Sequence, residues 1–169
     1  MKKILILCMI GIGATTLAAA QTPYTSTVDD QKVLILNGII TKNDIAGNPS
    51  FSWYAANQNG YTPDATVLEA MKASKDKYQF ILFGGTWCGD TQFILPKFFK
   101  LQEAAGIPDN SISFFGVNRA KQTLGNMASA FKITNVPTII VMKDGVEVGR
   151  VVEYGKTGSW DKELAGLLK

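Results

Sequence analysis

Cys88 stands in Gly85-Thr86-Trp87-Cys88-Gly89-Asp90-Thr91, between a short apolar run, Tyr78 to Phe83, and a longer stretch of helical periodicity. A thiol at the carboxyl end of a strand and in the first turn of a helix faces unpaired backbone amides and the positive end of the helix dipole. Both favour the thiolate. The chemistry open to such a group is nucleophilic attack, above all on a disulfide. Asp90 in the same turn works in two directions, because a carboxylate stabilises a helix start yet repels a neighbouring thiolate. Thr91 carries a hydroxyl that is expected to donate a hydrogen bond to the thiolate and so preserve its nucleophilicity. A free cysteine can also be an inert buried filler, but the polar neighbours and the Gly84-Gly85 pair, which lets backbone approach the thiol, argue for reactivity.

Composition removes several competing chemistries. The chain of 169 residues contains no histidine, so it holds neither a Cys-His dyad nor a Ser-His-Asp triad, and no nitrogen-sulfur ligand set for zinc. No metal and no bound cofactor are expected. Gly84-Gly85 lacks both the spaced third glycine and the Gly-Lys-Ser/Thr ending of a phosphate loop. The beginning of the chain, with Lys2-Lys3, an apolar stretch from Ile4 to Leu17 and Ala18-Ala19-Ala20, has the pattern of a signal peptide cut after Ala20. It is too short and too interrupted for a membrane span, and Cys8 lies in mid-stretch rather than at a lipid-attachment position. The expected product is an exported, periplasmic or secreted protein with no stable membrane insertion.

Cleavage brings the net charge of +3 close to zero, which leaves little electrostatic means of holding nucleic acid. Cleavage also leaves Cys88 as the one cysteine, so no internal disulfide can form and stability must come from packing. The charged tetrad Asn118-Arg119-Ala120-Lys121 reads as solvated surface.

The elements that must position Cys88 follow from periodicity. Residues 1–20 are the expected signal, 21–60 an extension packed on the domain, and 61–169 the domain itself. After a mobile segment from Gln21 to about Asp30, Lys32 to Ile40 reads as a strand and Thr41 to Asn48 as a polar loop. Phe51, Trp53 and Tyr54 form a packing cluster. Thr62-Pro63 is expected to start a helix with Val67, Leu68 and Met71 on one face. Tyr78 to Phe83 is a buried strand, Gly89 to about Ala105 a long helix interrupted by Pro96, and Ser111 to Val117 a strand. A short helix at Met127 to Phe131 precedes a hairpin of Thr138 to Met142 and Val146 to Val152 across Asp144-Gly145. Trp160 to Leu168 closes as an amphipathic helix. This order predicts an α/β fold with a mixed sheet flanked by helices on both faces.

Trp87-Cys88-Gly89-Asp90-Thr91, Pro96 eight residues after Cys88, Val136-Pro137-Thr138 and Lys143-Asp144-Gly145 together resemble the thioredoxin superfamily. The resemblance covers about Ala65 to Lys169, and the whole mature chain is similar to secreted bacterial thioredoxin-like proteins with a Trp-Cys-Gly-Asp-Ser/Thr motif. It implies a thioredoxin-like fold, with Cys88 as the nucleophile, Pro96 as the helix-kinking proline and Pro137 as the cis-proline beside the site. Trp87 would flank the thiol. Two positions depart from the pattern: Thr91 stands where the resolving cysteine would be, and Leu82 where thioredoxins bury an acid.

The catalytic set expected from these residues is Cys88, Thr91 and Trp87, with Val136, Pro137, Gly89 and Asp90 forming the substrate edge. The partners are protein or small-molecule thiols and disulfides and an external reducing thiol. With one sulfur, mixed-disulfide reduction or isomerisation suits the chain better than net dithiol oxidation, which makes it a monothiol oxidoreductase or isomerase. The alternatives are a redox-inactive peptide-binding or chaperone-like module, and a regulatory thiol that forms a sulfenic acid or an intermolecular disulfide.

Overall fold

A computed structural model describes residues 23–169; the expected signal segment 1–20, with Cys8, lies outside the described residues. Its framework is a six-stranded mixed sheet of order β1-β2-β4-β3-β5-β6, in which β1 is Tyr24–Val28, β2 Leu34–Ile40, β3 Gln79–Gly84, β4 Ile112–Gly116, β5 Thr138–Lys143 and β6 Val146–Val152. β3 runs parallel to β4, and the other neighbouring pairs are antiparallel.

The helices are α1, Lys42–Ala46; α2, Trp53–Asn59; α3, Ala65–Ser74; α4, Gly89–Ala105; α5, Met127–Ala130; and α6, Trp160–Leu167. The thioredoxin-like α/β arrangement expected from the sequence is the one observed.

β3 shows why a continuous apolar run belongs at the centre. Phe80 and Leu82 point into a core shared with Ile94, Phe98 and Leu164, whereas Phe83 and Ile81 point to the opposite face, with Phe115, Val117, Val136 and Ile140. Burial on both faces removes the polar half of the usual alternation. Trp87 and Cys88 pack on this second cluster, so the loop after β3 is anchored by the sheet face beneath it. The β5–β6 turn uses Asp144 and Gly145, with φ of 51° and 78°, the left-handed pair that a two-residue hairpin requires.

Three local expectations are corrected. The segment read as mobile contains β1, which pairs with β2 from Tyr24↔Gly38 to Val28↔Leu34. Its sequence Tyr-Thr-Ser-Thr-Val has strand propensity but is largely exposed, so pairing rather than burial makes it a strand. The expected loop 41–48 contains α1, stabilised by a capping box in which Thr41 Oγ1 accepts from the Asp44 amide and the Asp44 carboxylate accepts from the Thr41 amide. Buried Ile45 pins this short helix to the core. α3 begins at Ala65 rather than at Thr62-Pro63, because the Asp64 carboxylate accepts from the Thr66 amide and serves as the cap.

Candidate functional site

Cys88 is the N-cap of α4, with φ −91° and ψ 123°, so its backbone has not yet entered the helix. The chain reaches it through a tight turn closed by the Cys88 amide donating to Gly85 O at 2.9 Å. Close packing below that turn requires Gly84. A Cβ there would lie 2.7 Å from Leu95 Cδ1 and 2.9 Å from Thr91 Cγ2. The thiol is half-buried and its Sγ donates to Val136 O at 3.2 Å. The Val136–Pro137 peptide bond is cis, and both residues are buried. Sequence-distant Cys88 and Val136-Pro137 are therefore in contact.

Trp87 sits beside the thiol with its indole Nε1 donating to Val117 O at 3.0 Å. Gly89 is exposed with open space where a side chain would be, and Asp90 is half-exposed in the first turn of α4.

Thr91 departs from expectation. It is fully buried, and its hydroxyl accepts from the Gly85 amide at 3.2 Å, while the hydrogen bond made by the thiol goes to Val136. Thr91 thus fixes the turn that carries Cys88, and the expected Thr91–thiol hydrogen bond is not the one formed. The reason is geometric: the Gly85 amide lies inside the turn and needs an acceptor once buried.

Three further side chains frame the site. Tyr154 follows β6, its ring 5.8 Å from that of Phe93. Partial burial, then the Asp90 and Cys88 charges, push its phenol above the ordinary range. Thr86 is buried and its hydroxyl donates to Leu34 O at 2.7 Å. Arg119, read from sequence as solvated, has its guanidinium carbon 5.3 Å from the centre of the Trp87 ring and reaches Asp29 Oδ2 at 2.6 Å. Its side chain stays 41% exposed, so the solvated-surface reading holds and the ring contact adds a partner that the sequence does not announce. Nothing local in Asn118-Arg119-Ala120-Lys121 signals a partner almost a hundred residues away. Thr86 carried a signal in its place beside Trp87, whereas Tyr154 carried none.

Among the described residues no three His, Cys, Asp or Glu side chains form a metal-ligand group, and no helix is long and apolar enough to cross a membrane.

Comparison with known proteins places this geometry. The thioredoxin family model matches residues 62–164, more than half of the chain. A thioredoxin-like protein of Acanthamoeba polyphaga mimivirus is 30% identical over 76 residues, 45% of this chain and 53% of that protein. The chain thus spans little more than half of that relative's length. The thioredoxin of Mycoplasma pneumoniae is 34% identical over 87 residues, 52% of this chain and 78% of its own. A solved Pseudomonas aeruginosa protein of unknown function superposes with a TM-score of 0.51 at 16% identity, covering 74% of this chain and 87% of that one. That last likeness concerns the fold alone.

Proposed function

The chain belongs to the thioredoxin family, and from that premise we propose that it is an exported thiol-disulfide exchange protein working through the single sulfur of Cys88. The observation that carries this reading is the half-buried thiol at the start of α4, hydrogen-bonded to the Val136 carbonyl beside Pro137. An extended peptide disulfide laid along Val136 would bring a sulfur to the thiol, with Trp87, Gly89 and Asp90 bordering the approach.

The chemistry balances as follows. The Cys88 thiolate attacks one sulfur of a substrate disulfide, a Cys88–substrate S–S bond forms, and the substrate S–S bond breaks. The departing thiolate takes up a proton. In isomerisation a second substrate thiol attacks the mixed disulfide and returns Cys88 unchanged, with no net transfer of electrons. In reduction two external thiols supply the two electrons and leave as their own disulfide. Thr91 in place of a second cysteine makes the external or substrate thiol necessary. Export is supported by Lys2-Lys3, the apolar stretch and Ala18-Ala19-Ala20.

A second reading has a specific observation behind it. Leu82, where the resemblance implies a buried acid, is completely buried in an apolar core, which suits a peptide-binding module that does not turn over. The two separate on Cys88→Ser. The wild-type protein is expected to form a covalent adduct with a disulfide-bonded peptide that dithiothreitol releases, and the variant to form none. A wild-type protein that binds the peptide without any adduct, with equal affinity in the variant, would establish the binding module instead. Mass spectrometry of protein from the periplasm or medium should find Gln21 as the first residue.

A further inference from the structure

We infer that the β1–β2 hairpin is a working part of the reactive site: Thr86 is a positioning residue for Cys88, and the Asp29–Arg119 pair is a second brace acting through Trp87. The inference rests on the proposed exchange chemistry for its function, though not for its geometry.

β2 pairs with β4 only from Gly38↔Gly116 to Ile40↔Phe114. Before Gly38 the same edge of β2 has no strand beside it among the described residues, and the Thr86 side chain takes that place. Its hydroxyl donates to Leu34 O at 2.7 Å and accepts from the Leu36 amide at 3.3 Å, imitating the paired donor and acceptor of a neighbouring strand. Thr86 is 1% exposed, so the two backbone groups it satisfies have no ready water to replace it. From the other side Gln92 Nε2 donates to Thr86 O at 2.9 Å. The residue two positions before the thiol is thereby tied both to β2 and to α4.

The second brace holds the indole. Asp29 Oδ1 accepts from the Gln31 and Val33 amides at 2.9 Å, which orders the β1–β2 turn. Its other oxygen accepts from Arg119 Nε at 2.7 Å, and Arg119 Nη2 donates to Gln31 Oε1 at 2.7 Å. So held, the guanidinium lies over the Trp87 ring, whose own N–H is fixed to Val117 O. Such a stacked cation is effective because its planar fork is oriented by carboxylate and amide together. Disulfide exchange needs the attacking sulfur in line with the S–S bond, so a displaced loop slows it steeply.

The test uses the whole mature protein and reads two quantities: hydrogen exchange of amides 85–89, and the rate of mixed-disulfide formation with oxidised glutathione. Thr86→Val keeps the shape and removes the hydroxyl. It is expected to speed exchange in the loop about tenfold and to slow adduct formation by about as much, the cost of buried groups left unpaired. Thr86→Ser restores the hydroxyl and is expected to stay within about twofold of wild type in both.

Asp29→Asn and Arg119→Gln, both at the surface, are expected to slow the adduct about two- to threefold each, and their combination no more than either alone, as two halves of one contact. Wild-type behaviour of Thr86→Val, a Thr86→Ser as slow as Thr86→Val, or a loosened loop with an unchanged adduct rate each overturns the assignment of Thr86. If Thr86→Val does not fold, additive or absent effects at Asp29 and Arg119 overturn the brace. A wild-type protein that forms no adduct while the hydrogen-exchange order holds refutes the exchange chemistry alone.

Discussion

The difference between this site and a dithiol one is concentrated in Thr91. A cysteine there would be a second sulfur one turn along α4. The threonine instead turns its hydroxyl to the Gly85 amide and its methyl group toward Gly84. Its primary task is therefore to hold the turn below the thiol. Thr91→Val keeps the methyl packing and strands the Gly85 amide, which is expected to cost about 1–3 kcal/mol of stability by urea denaturation. A variant as stable as wild type would show that the amide finds another acceptor. Thr91→Cys is expected to introduce dithiol turnover in an insulin-reduction assay, because the new sulfur could attack the mixed disulfide proposed for Cys88. If an otherwise well-folded Thr91→Cys protein shows no gain, that counts against reading position 91 as the place of a resolving cysteine. Cys88, Trp87 and Val136-Pro137 were legible as residues, since their types and local order carry the pattern. The direction of the Thr91 hydroxyl was not, because nothing in the sequence ranks a backbone amide against a thiol as its partner.

Elements whose periodicity is strong were read closely: α4 spans Gly89–Ala105 as expected, and β3, β5 and β6 fall within a residue or so of their predicted bounds. Those that depend on a partner or a cap were not. β1 has no apolar face to announce it, and α1 is only five residues long, held by Thr41, Asp44 and buried Ile45. Propensity is a weak guide where a single ladder or a single cap decides the outcome. The junction of β3 and α4 is the element-scale determinant of the site, because the helix starts against the end of the strand with no room between them. Gly84→Ala would drive a methyl group into Leu95 and Thr91. The expected overpacking costs about 1–3 kcal/mol, together with a slower mixed-disulfide reaction as the Cys88 turn is pushed outward. Loss of stability with an unchanged reaction rate would mean that α4 shifts as a body and carries the thiol with it.

Over the whole molecule, the segment before α3 is joined to the rest by polar contacts that span the chain. Lys42 at the start of α1 reaches Glu103 on α4 at 3.0 Å and Asp109 in the loop before β4 at 2.9 Å. Such contacts are invisible to periodicity, which is why the sequence does not show what fastens residues 23–60 to the elements that follow. Their pH dependence follows from the direction of each shift. The hydrogen bond from Lys42 is the largest influence on Asp109 and holds its carboxyl below the ordinary range. Its contribution is complete above the unfolded carboxylate value of about 4 and disappears as pH falls through the lower folded value. Burial alone would lower the Lys42 ammonium, but hydrogen bonds to Asp109 and Glu103 raise it overall. That contribution is complete below the unfolded lysine value of about 10.4 and is lost as pH rises through the higher folded value. Lys42→Met, which keeps the aliphatic stem and removes the charge, is therefore expected to flatten both the acid and the alkaline limbs of unfolding free energy against pH. Asp109→Asn should flatten the acid limb and reduce the alkaline one only in part, since Glu103 still faces Lys42. Urea denaturation from pH 3 to pH 11 measures both limbs. An acid limb of unchanged slope in Asp109→Asn would leave the fastening of the N-terminal elements to the β2–β4 ladder, the Thr86 and Arg119 hydrogen bonds and apolar packing.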